Sequence, residues 1–172
     1  MISINIREEK ASDYEAVKKV LLDAFETSEE FELVERIRSS KFYVPELSLV
    51  AVVREKVVGH ILFSEIEIHS KNSTSIALAL APVSVAQKFQ RNGIGAKLIM
   101  TGLERATRLG YDSVILLGHA DYYPRFGFEP TSTWEISPPF DVPAENFMGI
   151  ELVPKGLHKK SGTVKYPSVW QL

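Results

Sequence analysis

The order of strand, glycine turn, helix and strand in the middle of the chain most constrains its fold. A β-prone apolar run covers residues 76–85, Gly93 and Gly95 follow it, and apolar residues at helical spacing continue almost to Gly110. Gly110 is suited to end that helix, because glycine readily adopts the left-handed conformation that often follows a helix. Residues 114–117 are apolar on both faces, as in a strand buried within a sheet. This order predicts a βαβ unit, and therefore a sheet covered by helices.

Periodic signals extend the prediction toward the N-terminus. Residues 2–7 form a strand pattern, and a helix follows with Ser12 as its N-cap. A second short helix covers residues 29–37. Two β-branched strands then meet at a charged turn, residues 54–56, which predicts a hairpin.

The length of the chain predicts one domain. At 172 residues the sequence is long enough for one sizeable core, so we expect residues 1–172 to fold as a unit. Within it, residues 1–130 carry the clear periodic signals. Residues 131–172 are rich in proline and aromatic residues, and their strand signals, at 148–153 and 163–166, are weaker.

Composition excludes several classes of function. The formal net charge is -2 and the basic residues are scattered, so we expect no nucleic acid partner. The chain has no cysteine, which removes disulfides, thiolate metal sites and cysteine nucleophiles, and we expect no metal site. No signal peptide or run of about 20 apolar residues is present, so we expect no membrane partner and a cytoplasmic location.

The glycine turn suits the binding of a phosphate. The first N–H groups of a helix are unpaired and attract anions, and Gly93 and Gly95 place no side chain in front of them. Gln90 and Arg91 add polar and cationic groups, and Asn92 tolerates the positive φ that a cluster of main-chain amides often requires. The alternative is that the glycines only permit a tight turn and close packing of helix on sheet.

Two nucleotide-binding motifs do not fit this turn. A P-loop has four residues between its glycines and then Lys-Ser or Lys-Thr, whereas here Ile94 alone separates them and Ala96 follows. The dinucleotide fingerprint has a third glycine where this chain has Leu98.

A proline near the end of the preceding strand gives a second indication. Pro82 cannot donate to a sheet ladder, so it predicts a bulge or an unpaired edge. We interpret it as the point where this strand separates from its neighbour, which leaves the backbone of Val83, Ser84 and Val85 free to pair with an extended ligand. An ordinary bulge is the alternative.

The sequence resembles the GNAT N-acetyltransferase superfamily. QRNGIG, residues 90–95, is similar to the family's Q/R-x-x-G-x-G/A signature, and APVSV before it resembles the family's fourth strand. YYPRFGFEP, residues 122–130, is similar to its Tyr-x-x-x-Gly-Phe segment. The likeness covers residues 2–130, and the tail phrase PFDVPAENFMGIEL resembles a bacterial branch of predicted acetyltransferases with a variable C-terminal β region. One departure is Gln87, where many members have proline.

The resemblance implies a fold and a cosubstrate. It implies a mixed α-β GNAT fold, in which a mostly antiparallel sheet is splayed between strands 4 and 5 and flanked by helices. Acetyl-CoA would lie with its pyrophosphate on the amides of residues 91–96 and its pantetheine arm on the backbone of Val83 and Val85. The candidate cosubstrate-binding residues are Val83, Ser84, Val85, Gln90, Arg91, Asn92, Gly93, Ile94, Gly95 and Ala96.

The resemblance also implies a mechanism. Because the chain has no cysteine to carry the acetyl group, we expect direct attack by an amine in a ternary complex. The Val85 N–H would polarise the thioester carbonyl. Tyr123 occupies the position of the family's general acid, with Tyr122 the weaker candidate. Alternatively, Tyr123 is an aromatic residue that only packs.

The sequence says less about the general base, the acceptor amine and the oligomeric state. Candidate bases are Glu65, Glu67, His60 and His119, of which His119 lies nearest the expected cleft and His60 resembles a core histidine. The family resemblance places the acceptor amine near residues 24–31 and 131–147. The sequence of these two segments does not identify the substrate. The aromatic C-terminal third could also form a homodimer interface. The alternative to an enzyme is a non-catalytic acyl-CoA-binding or sensing module.

Overall fold

The computed structural model describes residues 2–172, so Met1, where the predicted domain begins, lies outside the described residues. The α-helices are α1 (Tyr14–Ala24), α2 (Glu29–Arg38) and α3 (Ile94–Arg108). The strands are β1 (Asn5–Glu8), β2 (Tyr43–Val53), β3 (Lys56–His69), β4 (Thr74–Val85), β5 (Ser113–Leu117), β6 (Glu129–Pro130), β7 (Ile136–Ser137), β8 (Phe147–Glu151) and β9 (Gly162–Lys165). In residues 2–172, no helix combines the length and apolar character that crossing a bilayer requires.

The chain forms two compact units. The first comprises the residues up to Ser64 together with Ala81–Arg105, and the second comprises Glu65–Leu80 and Ala106–Leu172. Strands β3 and β4 contribute residues to both units. The expectation of a single domain stays a prediction.

The first unit contains an antiparallel ladder of β1, β2 and the start of β3. Arg54 and Glu55 join β2 to β3 with φ values of 49° and 67°. A two-residue hairpin loop with two positive φ values matches the right-handed twist of its strands. The charged turn predicted between these strands is confirmed.

Helix α1 begins differently from the prediction. Ser12 lies inside a short 3₁₀ turn, Ala11–Asp13, and not at the N-cap of α1, so that assignment is wrong. Asp13 holds the turn instead, because its carboxylate accepts hydrogen bonds from the Lys10 N–H at 2.8 Å and from the Arg7 guanidinium at 2.7 Å and 2.9 Å. A carboxylate can accept several donors and pair with an arginine, which a serine hydroxyl cannot do.

A buried ionic network joins the end of β1 to α2 in the first unit. The Glu9 side chain is 0% exposed and forms an ion pair with Arg38, which is 9% exposed. The Ser48 hydroxyl donates to Glu9 Oε1 at 2.9 Å, and the Tyr43 hydroxyl lies 3.4 Å from the same oxygen. The Arg38 guanidinium also lies over the Tyr14 ring, 3.9 Å from its centre. Two distant segments therefore share one charged centre.

The second unit shows the predicted mixed sheet. Strand β4 pairs in parallel with β5 at Leu78↔Val114 and Ala79↔Ile115, whereas β5 pairs antiparallel with β8 along its whole length. The parallel pairing of β4 with β5 beside the antiparallel pairing of β5 with β8 confirms the predicted mixed sheet. The Ala81–Pro82 peptide bond, just after the last pair, is cis.

Candidate functional site

Two glycines seat helix α3 closely on strand β3 in the first unit. A Cβ atom on Gly59 would lie 3.1 Å from Leu98 Cδ1 and 3.2 Å from Ile94 Cγ2. A Cβ atom on Gly102 would lie 2.2 Å from the buried ring of Phe63. Both glycines therefore set the position from which α3 begins. Sequence analysis missed them, although an isolated glycine within a strand or helix often marks such a close approach.

The start of α3 presents unpaired main-chain donors. The first bond of the helix runs from the Lys97 N–H to the Gly93 carbonyl at 3.0 Å, so the preceding N–H groups, of Ile94, Gly95 and Ala96, have no acceptor within the helix. Gly93 has a φ of +78°, and a Cβ atom placed on it would meet nothing within 4 Å. The space at this turn is therefore open. Unpaired donors beside open space suit an anionic ligand.

The positive φ values in the turn are not at the predicted residue. They occur at Arg91, with 65°, and at Gly93, not at Asn92. Asn92 instead uses its side chain, because its Nδ2 donates to the carbonyls of Phe89 at 3.1 Å and Gln90 at 3.2 Å. These two bonds lie within the loop and stabilise its conformation. The sequence alone does not show which residue of such a turn takes the left-handed conformation.

The end of β4 turns one set of backbone groups away from β3. The Ala86 N–H donates to the Val58 carbonyl on β3 at 2.8 Å. Backbone groups alternate in direction along a strand, so those of Ser84 point toward β3 and those of Val83 and Val85 point toward the opposite edge. The Val85 carbonyl there accepts a bond from Gln90 Nε2 at 3.0 Å. The Ser84 hydroxyl is buried and has no partner among the described residues.

Tyr123 lies in the second unit, on a 3₁₀ helix, Tyr123–Phe126, that follows β5. A Cβ atom on Gly118 would lie 2.4 Å from Tyr123 Cε2, so only glycine leaves room for the ring. The ring also contacts Phe128, whose ring centre is 5.9 Å away in an edge-on arrangement. Gly127 ends the helix with a φ of +102°, which directs Phe128 into the core.

The Tyr123 hydroxyl is held in its protonated form. Burial raises the pKa of Tyr123 above its ordinary value, and the neighbouring Tyr122 raises it further. The hydroxyl makes no hydrogen bond to any residue in the range 2–172. It is therefore a proton donor without a fixed partner. Tyr122 is engaged differently, because the Arg125 guanidinium lies 4.4 Å from the centre of its ring.

His60 is a core residue of the first unit. Its side chain is 0% exposed, and Nε2 lies 3.2 Å from the Ser48 hydroxyl. Burial, assisted by the charge of Arg38, lowers the pKa of His60 to about 3. The ring is therefore neutral at ordinary pH and has no access to solvent.

The other three candidate bases differ in accessibility. Glu65 accepts a bond from the Tyr111 hydroxyl at 2.6 Å, and Glu67 lies 2.8 Å from His69 Nε2. His119 is exposed, and its side chain makes no hydrogen bond within the described chain. Its carbonyl accepts the N–H of Tyr123 at 3.4 Å. His119 is therefore the exposed candidate whose side chain has no hydrogen-bond partner among the described residues, and it lies in the loop that leads to Tyr123.

Comparison with known proteins identifies the family. The Acetyltransferase (GNAT) domain matches residues 5–131. The chain is 38% identical to the uncharacterized N-acetyltransferase YjhQ of Escherichia coli (strain K12) over 136 residues, which cover 78% of this chain and 75% of that protein.

Two solved structures are also similar. The crystal structure of the GNAT family N-acetyltransferase YhbS from Escherichia coli in complex with CoA has a TM-score of 0.92 and 26% identity, covering 100% of this chain and 94% of that one. A GNAT family acetyltransferase from Brucella melitensis in complex with acetyl-CoA has a TM-score of 0.79 and 30% identity, covering 98% of each chain. The chain thus belongs to the GNAT acetyltransferase family, as its glycine turn and its Tyr-x-x-x-Gly-Phe segment predicted.

Proposed function

We propose that this protein is an N-acetyltransferase that moves the acetyl group of acetyl-CoA to an amine. The observation that carries the proposal is the set of unpaired N–H groups at the start of α3, beside open space at Gly93. Two similar proteins, named above, were crystallised with CoA and acetyl-CoA, which supports the same ligand here.

We assign the binding of this ligand to the end of β4 and the turn before α3. The diphosphate would bind the amides of residues 91–96, where the helix dipole and the absence of a side chain at Gly93 favour an anion. The pantetheine arm would pair with Val83 and Val85, whose backbone groups face the edge of β4 that points away from β3. The Ser84 backbone faces β3, so we assign it no bond to the arm.

The protein promotes the reaction mainly by positioning the two substrates and not by covalent chemistry of its own. Acetyl-CoA supplies an activated thioester, and the protein has no cysteine that could carry the acetyl group. The amine therefore attacks directly while both substrates are bound, and proximity supplies much of the rate. The N–H of Val85, on the edge of β4 that points away from β3, is our candidate for polarising the thioester carbonyl.

Proton transfers are assigned to two residues of the second unit. Tyr123 donates its hydroxyl proton to the leaving thiolate, since its raised pKa keeps the proton in place at neutral pH. His119 accepts a proton from the amine, because the other three candidates are buried or engaged. Both residues belong to the loop and 3₁₀ helix that follow β5.

The test is turnover with a panel of acceptors. The purified protein is mixed with acetyl-CoA and small amines, lysine peptides or peptides with free N-termini, and thiol release is measured. We expect release that depends on the acceptor, and we expect Tyr123→Phe to lower kcat by about 100-fold. Tyr122→Phe is the matched control and should retain activity. Tight binding of acetyl-CoA without release on any acceptor would instead indicate a binding or sensing module.

The proposed diphosphate site, residues 91–96, which we call the cradle, is tested separately by calorimetry. Replacing Gly93 and Gly95 together by valine should weaken CoA binding strongly, because side chains would then stand before the N–H groups of α3. Circular dichroism checks that this double variant folds. Unchanged affinity in a folded variant would contradict the assignment of the cradle.

A further inference from the structure

Two hydrogen bonds join the last turn of α1 to the loop between β4 and α3. The Gln87 N–H donates to Asp23 Oδ2 at 2.7 Å, and Gln87 Nε2 donates to the Asp23 carbonyl at 2.7 Å. Both residues belong to the first unit. A proline at position 87 could form neither bond, because it lacks both the N–H and the side-chain amide.

Each bond satisfies a group that local structure leaves unpaired. The Asp23 carbonyl is one of the last four of α1, which have no partner within the helix. The Gln87 N–H is at the first residue of a short 3₁₀ helix, Gln87–Phe89. Because both bonds connect the same two residues, they define the distance and the orientation between the loop and the helix. A single exposed hydrogen bond would constrain this distance and orientation less.

The same loop carries the groups assigned to CoA. Its other hydrogen bonds include one to β3 through the Ala86 N–H and several within the loop, among them those of the Gln90 and Asn92 side chains. Gln87 thus ties the segment between Val85 and the cradle to a helix. Directly after that helix come residues 25–28, which lie in one of the two segments that family resemblance places near the acceptor.

We propose that Asp23 and Gln87 are positioning residues that couple the end of α1 to the coenzyme cradle. This inference rests on the proposed function. The coupling has two consequences. CoA affinity depends on the bonds between Asp23 and Gln87, and bound CoA restrains residues 22–28. By reciprocity, an acceptor that orders those residues strengthens CoA binding.

The chain allows a graded set of variants. Gln87→Ala removes the side-chain donor only, and Asp23→Ala removes the carboxylate acceptor only. Gln87→Pro removes both donors, and its backbone is compatible, because Ala86 has the extended conformation (φ -54°, ψ 138°) that a residue before proline adopts. Asp23→Asn keeps an acceptor oxygen and is the conservative rescue. Lys88→Ala, at an exposed neighbouring position, is the control.

Calorimetry with CoA on the full chain gives the first test. We expect Gln87→Ala and Asp23→Ala each to weaken binding about threefold, and Gln87→Pro about tenfold, from the net value of hydrogen bonds lost. Adding Asp23→Ala to Gln87→Pro should weaken binding no further, since the shared bonds are already gone. Asp23→Asn and Lys88→Ala should stay within about twofold of the parent.

Hydrogen exchange gives the second test, which a purely structural role would not satisfy. CoA should slow amide exchange in residues 22–28 of the parent, but not in Gln87→Pro, where protection should be confined to the cradle. Equal affinities and equal protection in the parent and in Gln87→Pro, Asp23→Ala and Gln87→Ala would overturn the inference alone. Failure of the parent to bind CoA would overturn the proposed function, and this inference with it.

Discussion

The buried ion pair between Glu9 and Arg38 predicts how much a substitution of Glu9 lowers the stability of the fold, and the adjacent residue provides a control. Glu9→Gln keeps the volume of the side chain, so it opens no cavity. It removes the charge opposite a guanidinium that is 9% exposed, and it exchanges an acceptor oxygen for a donor beside Ser48. Removing one partner of a buried pair costs about 3–5 kcal/mol, because the other charge stays desolvated. For a chain of this length, that corresponds to a Tm lower by about 6–20 °C.

The adjacent residue supplies the matched control. Glu8 pairs with Arg105 at 3.1 Å, but the two side chains are 51% and 29% exposed. Exposed pairs contribute about 0–1 kcal/mol, so Glu8→Gln should have a small effect. The two variants make the same chemical change at neighbouring positions and differ mainly in burial.

Urea and thermal unfolding followed by far-UV circular dichroism measure the difference, since α1 and α2 belong to the same unit as Glu9. Tryptophan fluorescence is less suitable, because Trp134 and Trp170 both lie in the second unit. If Glu9→Gln lowers the free energy of unfolding no more than Glu8→Gln does, the desolvation of Arg38 does not account for the stability of this site, and the reasoning is refuted.

Three further predictions concern single positions. Gly118→Ala should displace the Tyr123 ring, which lies 2.4 Å from the added Cβ, and should lower turnover at least about tenfold with the circular dichroism spectrum unchanged; full activity would contradict this. The hydrogen bond from Arg7 lowers the pKa of Asp13 from its ordinary value of 3.8. The ionised Asp13 therefore stabilises the folded state above pH 3.8, and this stabilisation is lost as the pH falls through the lower pKa of the folded state. The difference in unfolding free energy between the parent and Asp13→Asn should therefore shrink between pH 6 and pH 2, and a constant difference would argue against it. Gly110→Ala should lower the free energy of unfolding by about 1 kcal/mol in urea titration, through strain at a φ of +95° without any clash, whereas Gly110→Asn should cost less.

Local signals in the sequence predicted most of the elements. Periodicity located α2 and α3, and the charged turn at Arg54 located the hairpin, because these patterns depend on residues close in the chain. Gly110 ends α3 with a positive φ, as predicted. The prediction of Ser12 as the N-cap of α1 was wrong, because the pairing of Asp13 with Arg7 is not a periodic signal.

Contacts between distant segments could not be predicted in this way. The contacts of Gly59 with α3, and the bonds between Gln87 and Asp23, join residues far apart in sequence and leave no pattern along it. The glycine turn before α3 was easier to predict, because Gly93 and the start of α3 are adjacent in the chain. Its details were not, since Arg91 took the positive φ expected at Asn92.

The passage of β3 and β4 through both units limits how the chain can be divided. Each unit is assembled from two separate stretches of sequence, so a contiguous fragment that contains the whole of either unit also contains part of the other. The family match ends at residue 131, inside the second unit and before β8, the strand that pairs with all five residues of β5. A polypeptide ended there would expose the whole length of β5 along that side, and such a bare strand edge is prone to aggregate. Efforts to express a minimal catalytic fragment should therefore retain the C-terminal strands.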